Sequence, residues 1–324
     1  MDYLFLVLGL GLLLLGADFL VDSSVAIAQR AKISNFIIGL TIVGMGTSAP
    51  ELMVSISSAL NGSGDIAMGN VIGSNISNIF LILGVTAVIL PFAIERETQR
   101  RDIPVGIGAS ILLLLLANDS WIPGIKENTI SRVDGIFLLV LFFVYMCSVV
   151  VLKGKNPQQA IADADEETKS KLAGKNPVLL WAIAVVSLVA LIGGGTLFLD
   201  SAKSLARSWG MSEAVISITI VAVGTSLPEL ITSITAACKN NPQLALGNVL
   251  GSNVFNVLMI IGVSSVCKPL KLVDINIIDY GMMVLGSIMT FVVIFTFGKH
   301  KFDRIEGVIF LLVYVGYTIS LLMR

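Results

Sequence analysis

The chain of 324 residues is poor in charge: Asp, Glu, Lys and Arg together make up 13%. Soluble domains carry about 25%. Its formal net charge is −1, which excludes an electrostatic nucleic-acid partner. Only one histidine is present, His300, so a histidine catalytic centre or proton relay has no material to work with. Cysteine is equally scarce. Cys147, Cys238 and Cys267 stand alone in or near apolar segments, without disulfide or metal-ligand spacing, and are expected to be buried thiols. No basic n-region precedes the first apolar run, so a cleaved signal is not expected.

What is abundant is apolar sequence, at 55% of residues, in runs that recur from end to end. A bilayer core takes roughly 20 apolar residues per helix. On that ruler ten spans are expected, at 2–20, 36–60, 66–90, 103–117, 133–152, 178–199, 213–237, 243–267, 276–297 and 305–322. Basic residues are enriched roughly two to one in the loops after odd-numbered spans. That bias predicts a cytoplasmic 153–177 loop and both termini outside. The loop holds Asp163, Asp165, Glu166 and Glu167. Counted from Asp163, the glycine an EF-hand needs at its sixth position is replaced by Thr168, so the loop reads as a solvated linker.

The chain is also written twice. TIVGMGTSAPELMVSI at 41–56 returns as TIVAVGTSLPELITSI at 219–234, and GNVIGSNISNIFLILGV at 69–85 returns as GNVLGSNVFNVLMIIGV at 247–263. One offset of 178 serves both phrases, from 51 to 229 and from 78 to 256. The predicted organisation is a five-helix repeat at 1–152, the linker at 153–177, and a second five-helix repeat at 178–324. An odd number of spans per copy makes the second copy enter from the opposite side. The expected fold is therefore an all-α membrane protein of ten transmembrane helices in two inverted-topology repeats, with a site near the midplane.

Glu51 and Glu229 sit inside spans that hold no lysine or arginine. A buried carboxylate needs a partner, and two of them carry the charge that one calcium ion cancels. Pro50 and the glycines before it weaken the helix, which frees carbonyls around Gly44–Thr47 and, in the second copy, Ala222–Thr225. Ser74 and Asn78 share a helix face one turn apart, as do Ser252 and Asn256, and offer the hard oxygens that suit sodium or calcium. Asn75 and Asn253 read as packing or capping residues, and the Gly69–Gly73 and Gly247–Gly251 spacings double as helix-packing devices. Asp18, Asp22 and Asp200 are placed at span ends in structural or interfacial roles.

TIVGMGTSAPE and TIVAVGTSLPE, each followed by a G-N-V-x-G-S-N phrase, resemble the paired alpha-repeats of the cation/calcium antiporter superfamily, and within it the prokaryotic sodium/calcium exchangers. The resemblance implies a core of spans 2, 3, 7 and 8 against which spans 1 and 6 slide. By motif position it makes Glu51 and Glu229 the acidic ligands, with oxygens from Thr47 and Thr225 and backbone carbonyls from Gly44 and Ala222. Ser74 and Ser252 would serve outer sodium sites, and Asn78 and Asn256 would close the centre. It implies a monomeric secondary transporter in the cell membrane, not an enzyme, whose partners are sodium, calcium and the lipid bilayer, with no cofactor. It further implies exchange of about three sodium ions per calcium ion, hence net charge movement. Some relatives carry an aspartate at the position of Asn256; the asparagine here argues against a potassium requirement. A proton/calcium antiporter using the same glutamates is the alternative. An intramembrane protease would use paired aspartates in phrases absent here, and a cation channel would need no counter-ion.

Overall fold

The computed structural model describes residues 2–121, 123, 127–153, 170–172, 174–211, 224–296 and 301–323. It is a helical membrane protein. Seven helices are long and apolar enough to cross a bilayer: α1 (Asp2–Ala31), α4 (Gly64–Ile89), α6 (Arg132–Lys153), α7 (Pro177–Ser208), α9 (Pro242–Cys267), α10 (Ile277–Phe295) and α11 (Arg304–Leu322). An eighth is a broken span, α2 (Asn35–Thr47) followed by α3 (Ala49–Leu60), bent by 45°. Two shorter apolar helices are also present among the described residues, α5 (Ile103–Leu116), with Pro104 in its first turn, and α8 (Leu227–Cys238). Residues 213–223 of the expected span 213–237, His300 and most of the 153–177 linker lie outside the described residues.

The sequence repeat is carried into the elements. α3 and α8 begin and end 178 residues apart, and so do α4 and α9. The all-α expectation needs one addition, because two short antiparallel ladders join the halves. β1 (Phe92–Ala93) pairs with β4 (Lys301–Phe302), and β2 (Asn128–Ile130) pairs with β3 (Leu270–Leu272). The exchange is reciprocal: β1 follows α4 and pairs with β4 ahead of α11, and β3 follows α9 and pairs with β2 ahead of α6.

Close packing positions the centre. On α9, Gly247 and Gly251 lie against the backbone of α2, where a Cβ would collide with the carbonyl oxygens of Phe36 and Leu40. The packing role read from the Gly247–Gly251 spacing therefore holds. Beside this pair, α1 runs along α7 and also touches α8.

Two expectations are corrected. The first span does not stop at residue 20. α1 runs on to Ala31 and buries Asp22, because Lys239 reaches over from the end of α8. Its Nζ lies 2.7 Å from Asp18 Oδ1 and 2.8 Å from Asp22 Oδ1, and donates to the Asp18 carbonyl at 2.7 Å. The acidic pair thus marks a contact between helices, in keeping with the structural role expected of Asp18 and Asp22. α7 likewise runs past residue 199, carrying Asp200 and Lys203, 3.4 Å apart, within its last turns. The cysteines are the second correction. All three are free but exposed, because in a bilayer an apolar residue can face lipid as readily as the interior.

The Lys239 contact carries a prediction. Lys239→Met should destabilise the folded protein by about 1–3 kcal/mol, chiefly by leaving Asp22 buried without its cation. Asp18, 42% exposed, contributes little. Thermal unfolding of the purified protein in detergent measures this, and adding Asp22→Asn should restore part of the loss. An unchanged midpoint in Lys239→Met would refute it.

Candidate cation site

The breaks in the two repeated spans set the site. At Ser48 the backbone leaves the helix (φ −84°, ψ 10°) and α3 starts anew with Pro50 and Glu51 in its first turn. Ser226 does the same (φ −87°, ψ 8°) ahead of α8, with Pro228 and Glu229. Each proline has no N–H to lose at a helix start. Each glutamate is thereby placed at a helix N-terminus, where the helix dipole favours negative charge.

Both glutamates are 1% exposed. The Ser48 hydroxyl, from the first half, donates to Glu229 Oε1 at 2.8 Å. Ser74 and Glu229 both belong to the electrostatic surroundings of the Glu51 carboxylate. The acids from the two halves therefore share one buried pocket.

Around them the repeat reproduces the same scaffold twice. Asn70 Nδ2 donates to the Glu51 carbonyl at 3.2 Å and to Ser55 Oγ at 3.0 Å. Asn248 Nδ2 donates to the Glu229 carbonyl at 3.3 Å and to Ser233 Oγ at 2.9 Å. Each asparagine ties the first turn of its glutamate helix to the neighbouring long helix. Cross-half bonds then lock α2 to α9: Thr47 Oγ1 donates to Asn248 Oδ1 at 3.2 Å, and Ser252 Oγ donates to the Gly44 carbonyl at 3.1 Å.

Beyond Ser74 and Ser252 the two long helices pass through π-helical turns at Ser77–Leu83 and Phe255–Ile260, which carry Asn78 and Asn256. Such turns recur at functional sites because they rotate side chains out of the helical register. Asn78 Nδ2 donates to Asn253 Oδ1 at 3.0 Å, and Asn256 Nδ2 to Asn75 Oδ1 at 3.0 Å.

Several oxygens then remain without a hydrogen-bond partner among the described residues, although fully buried. They are both carboxylate oxygens of Glu51, Glu229 Oε2, the amide oxygens of Asn78 and Asn256, and the hydroxyls of Ser74 and Ser226. Leaving one such group unsatisfied costs about 1–3 kcal/mol, and more for a charged one. A concentration of unpaired oxygens, three of them on the two carboxylates and the rest neutral, is a donor set for a hard cation.

Of the residues singled out from the sequence, Glu51, Glu229, Thr47, Ser74, Ser252 and Gly44 belong to the contacts described above, and Asn78 and Asn256 follow Ser74 and Ser252 by four residues on the same long helices. Thr225 lies half-buried in the turn ahead of α8, and Ala222 lies outside the described residues. Ser48 and Ser226 were missed, as were the tethering asparagines Asn70 and Asn248. Their signal was the offset itself: each is identical in both copies of the two phrases.

A family model described as "Sodium/calcium exchanger protein" matches residues 1–151 and 179–323. The chain belongs to the sodium/calcium exchanger family. Among its relatives, the protein CaxA of Alkalimonas amylolytica is 37% identical over 97% of this chain and 96% of its own. The sodium/calcium exchanger MaX1 of Methanosarcina acetivorans is 30% identical over 99% of this chain and 98% of its own. A solved structure of the sodium-calcium exchanger NCX_Mj, soaked with sodium and calcium, superposes with a TM-score of 0.82 at 31% identity, covering 99% of this chain and 98% of that one. The family match falls on both halves and leaves out residues 152–178, in which the polar linker lies.

Proposed function

We propose that the protein is a secondary active antiporter that exchanges sodium for calcium across the cell membrane. The observation that carries this reading is the pocket shared by Glu51 and Glu229, joined across the halves by the 2.8 Å bond from Ser48. Two carboxylates with neutral amide and hydroxyl oxygens match the charge and hardness of one calcium ion. The same oxygens, divided among smaller groups, suit several sodium ions. Family membership and the likeness to a structure solved in sodium and calcium support the choice of ions.

Competition follows from charge. Calcium needs both carboxylates, and so does a full set of sodium ions, so each displaces the other. An empty pocket with two negative charges resists passage through the apolar barrier, while a loaded one is neutralised. Exchange is then permitted and leak suppressed. We assign an alternating-access cycle in which about three sodium ions move per calcium ion, carrying net charge. Glu51, Glu229, Thr47, Thr225, Ser74, Ser252, Asn78, Asn256, Gly44 and Ala222 are the proposed ligands, joined by Ser48 and Ser226.

The proposed architecture is ten spans in two inverted five-helix repeats, 1–152 and 178–324, joined by a cytoplasmic linker at 153–177, with both termini outside. The reciprocal ladders and the 178-residue offset of the elements support the two-fold relation. Both acids come from one chain, so a monomer suffices. α1 and α7 pack on each other outside the pocket and are the proposed moving pair.

The test is calcium uptake into proteoliposomes under imposed gradients. Internal sodium should drive uptake against a calcium gradient, with potassium and proton gradients ineffective in sodium-free vesicles. Uptake driven by a pH gradient without sodium would replace sodium by protons as the coupling ion.

A further inference from the structure

Asn75 and Asn253 fall outside the proposed ligand set, yet they are counterparts in the repeat and touch each other. Asn75 Nδ2 donates to the Asn253 backbone carbonyl at 3.3 Å and lies 3.8 Å from Met283 Sδ. A residue that meets its own repeat partner stands where the two halves are related to one another. From that position each reaches the ligand of the opposite half. Asn253 Oδ1 accepts from Asn78 Nδ2, and Asn75 Oδ1 accepts from Asn256 Nδ2, both at 3.0 Å.

An asparagine amide has two ends of opposite polarity and nearly equal shape. Facing a cation, the oxygen attracts and the NH2 repels. At Asn78 and Asn256 the NH2 is committed to Asn253 and Asn75, and the oxygen is the end left without a partner among the described residues. Turning either amide over would set two oxygens against each other and aim N–H bonds into the pocket. Asn75 cannot turn to accommodate this, because its own NH2 is held by the Asn253 carbonyl and its Oδ1 is thereby fixed as an acceptor.

We infer that Asn75 and Asn253 are positioning residues, each fixing the amide of the cross-half ligand, Asn256 or Asn78, with its oxygen toward the cation. The inference rests on the proposed cation site and deepens it. It also predicts a pattern of action: Asn75 acts on cation binding through the Asn256 amide, and Asn253 through the Asn78 amide. A packing role for either residue has no such pattern.

The experiment is a set of double-mutant cycles read by radioactive-calcium equilibrium binding to the full-length protein in detergent. Asn75→Leu and Asn253→Leu keep the volume and remove the acceptor. Each should weaken calcium binding about 10- to 100-fold, the range seen when a group that orients a metal ligand is removed. In an Asn256→Ala background, Asn75→Leu should add less than about a twofold further loss; in an Asn78→Ala background it should keep its full effect. Asn253→Leu should show the converse. Equal losses in every background would overturn the inference and leave both residues as packing. The alanine variants run the same cycle if leucine does not fold. Glu51→Gln separates the two readings. If it leaves calcium binding intact, the cation site itself fails; if it abolishes binding while the cycles are additive, only the positioning role fails.

Discussion

Glu51→Gln is expected to abolish sodium-driven calcium uptake, by about 100-fold or more, and at the same time to raise the thermal midpoint of the cation-free protein. The two effects share one cause. Glu51 is 1% exposed, and neither of its carboxylate oxygens has a hydrogen-bond partner among the described residues. A charge so placed is held at a cost of several kcal/mol unless a cation offsets it. Glutamine keeps the shape and removes the charge, so the cation-free fold gains. Calcium then meets a single carboxylate and leaves one positive charge uncompensated in a low-dielectric pocket. Glu229→Gln should lose transport equally but gain less stability, since Glu229 Oε1 already accepts the Ser48 hydroxyl. Uptake in proteoliposomes and thermal unfolding with and without calcium measure both halves of this result. A calcium-induced rise in midpoint is expected for the native protein and should vanish in both variants. Near-native uptake in either variant would remove the glutamates from the site.

Much of this was legible in the sequence because the repeat exposes it. Polar residues that recur at one offset inside apolar runs need an explanation, as partners in packing or as ligands, and Glu51, Asn78 and their counterparts stand out on that ground. The break ahead of each glutamate was readable from Pro50 and Pro228, since proline cannot continue a helix. Other features depend on distance in the chain. α1 was read as ending near Asp18 and Asp22 because carboxylates mark a membrane edge unless something neutralises them. The neutralising group, Lys239, is more than two hundred residues away. The side to which a cysteine points in an apolar helix is also invisible, since lipid and protein interior make the same compositional demand. Amide orientation at Asn78 and Asn256 is a matter of which neighbour accepts, and only the crossing of α4 and α9 supplies those neighbours. The short ladders at 92–93 and 270–272 carry too few residues for any period to show.

The other large effect is expected far from any charge. Gly251→Leu, on α9, should abolish transport and prevent or severely weaken folding, and even Gly251→Ala should cut transport more than about tenfold. Overpacking a tight contact costs about 1–3 kcal/mol, and backbone cannot step aside as a side chain can. A Cβ at residue 251 would collide with the carbonyl oxygen of Leu40 and lie 2.7 Å from its Cα. Relief requires α2 to move away from α9, and α2 carries the site's cross-half bonds. The Ser252 hydroxyl would leave the Gly44 carbonyl, now 3.1 Å away, and Thr47 would leave Asn248, now 3.2 Å away. Ser48, next in sequence, would then be drawn off Glu229. Methyl groups are not harmful everywhere in this chain: Gly106 on α5 has open space around an added Cβ among the described residues. Gly106→Ala should leave transport intact and stabilise the helix by about 0.5–1 kcal/mol. Uptake rates and unfolding midpoints of the two alanine variants, measured side by side, decide the matter. A Gly251→Ala protein that transports as well as Gly106→Ala would mean that the α2–α9 contact does not hold the site together.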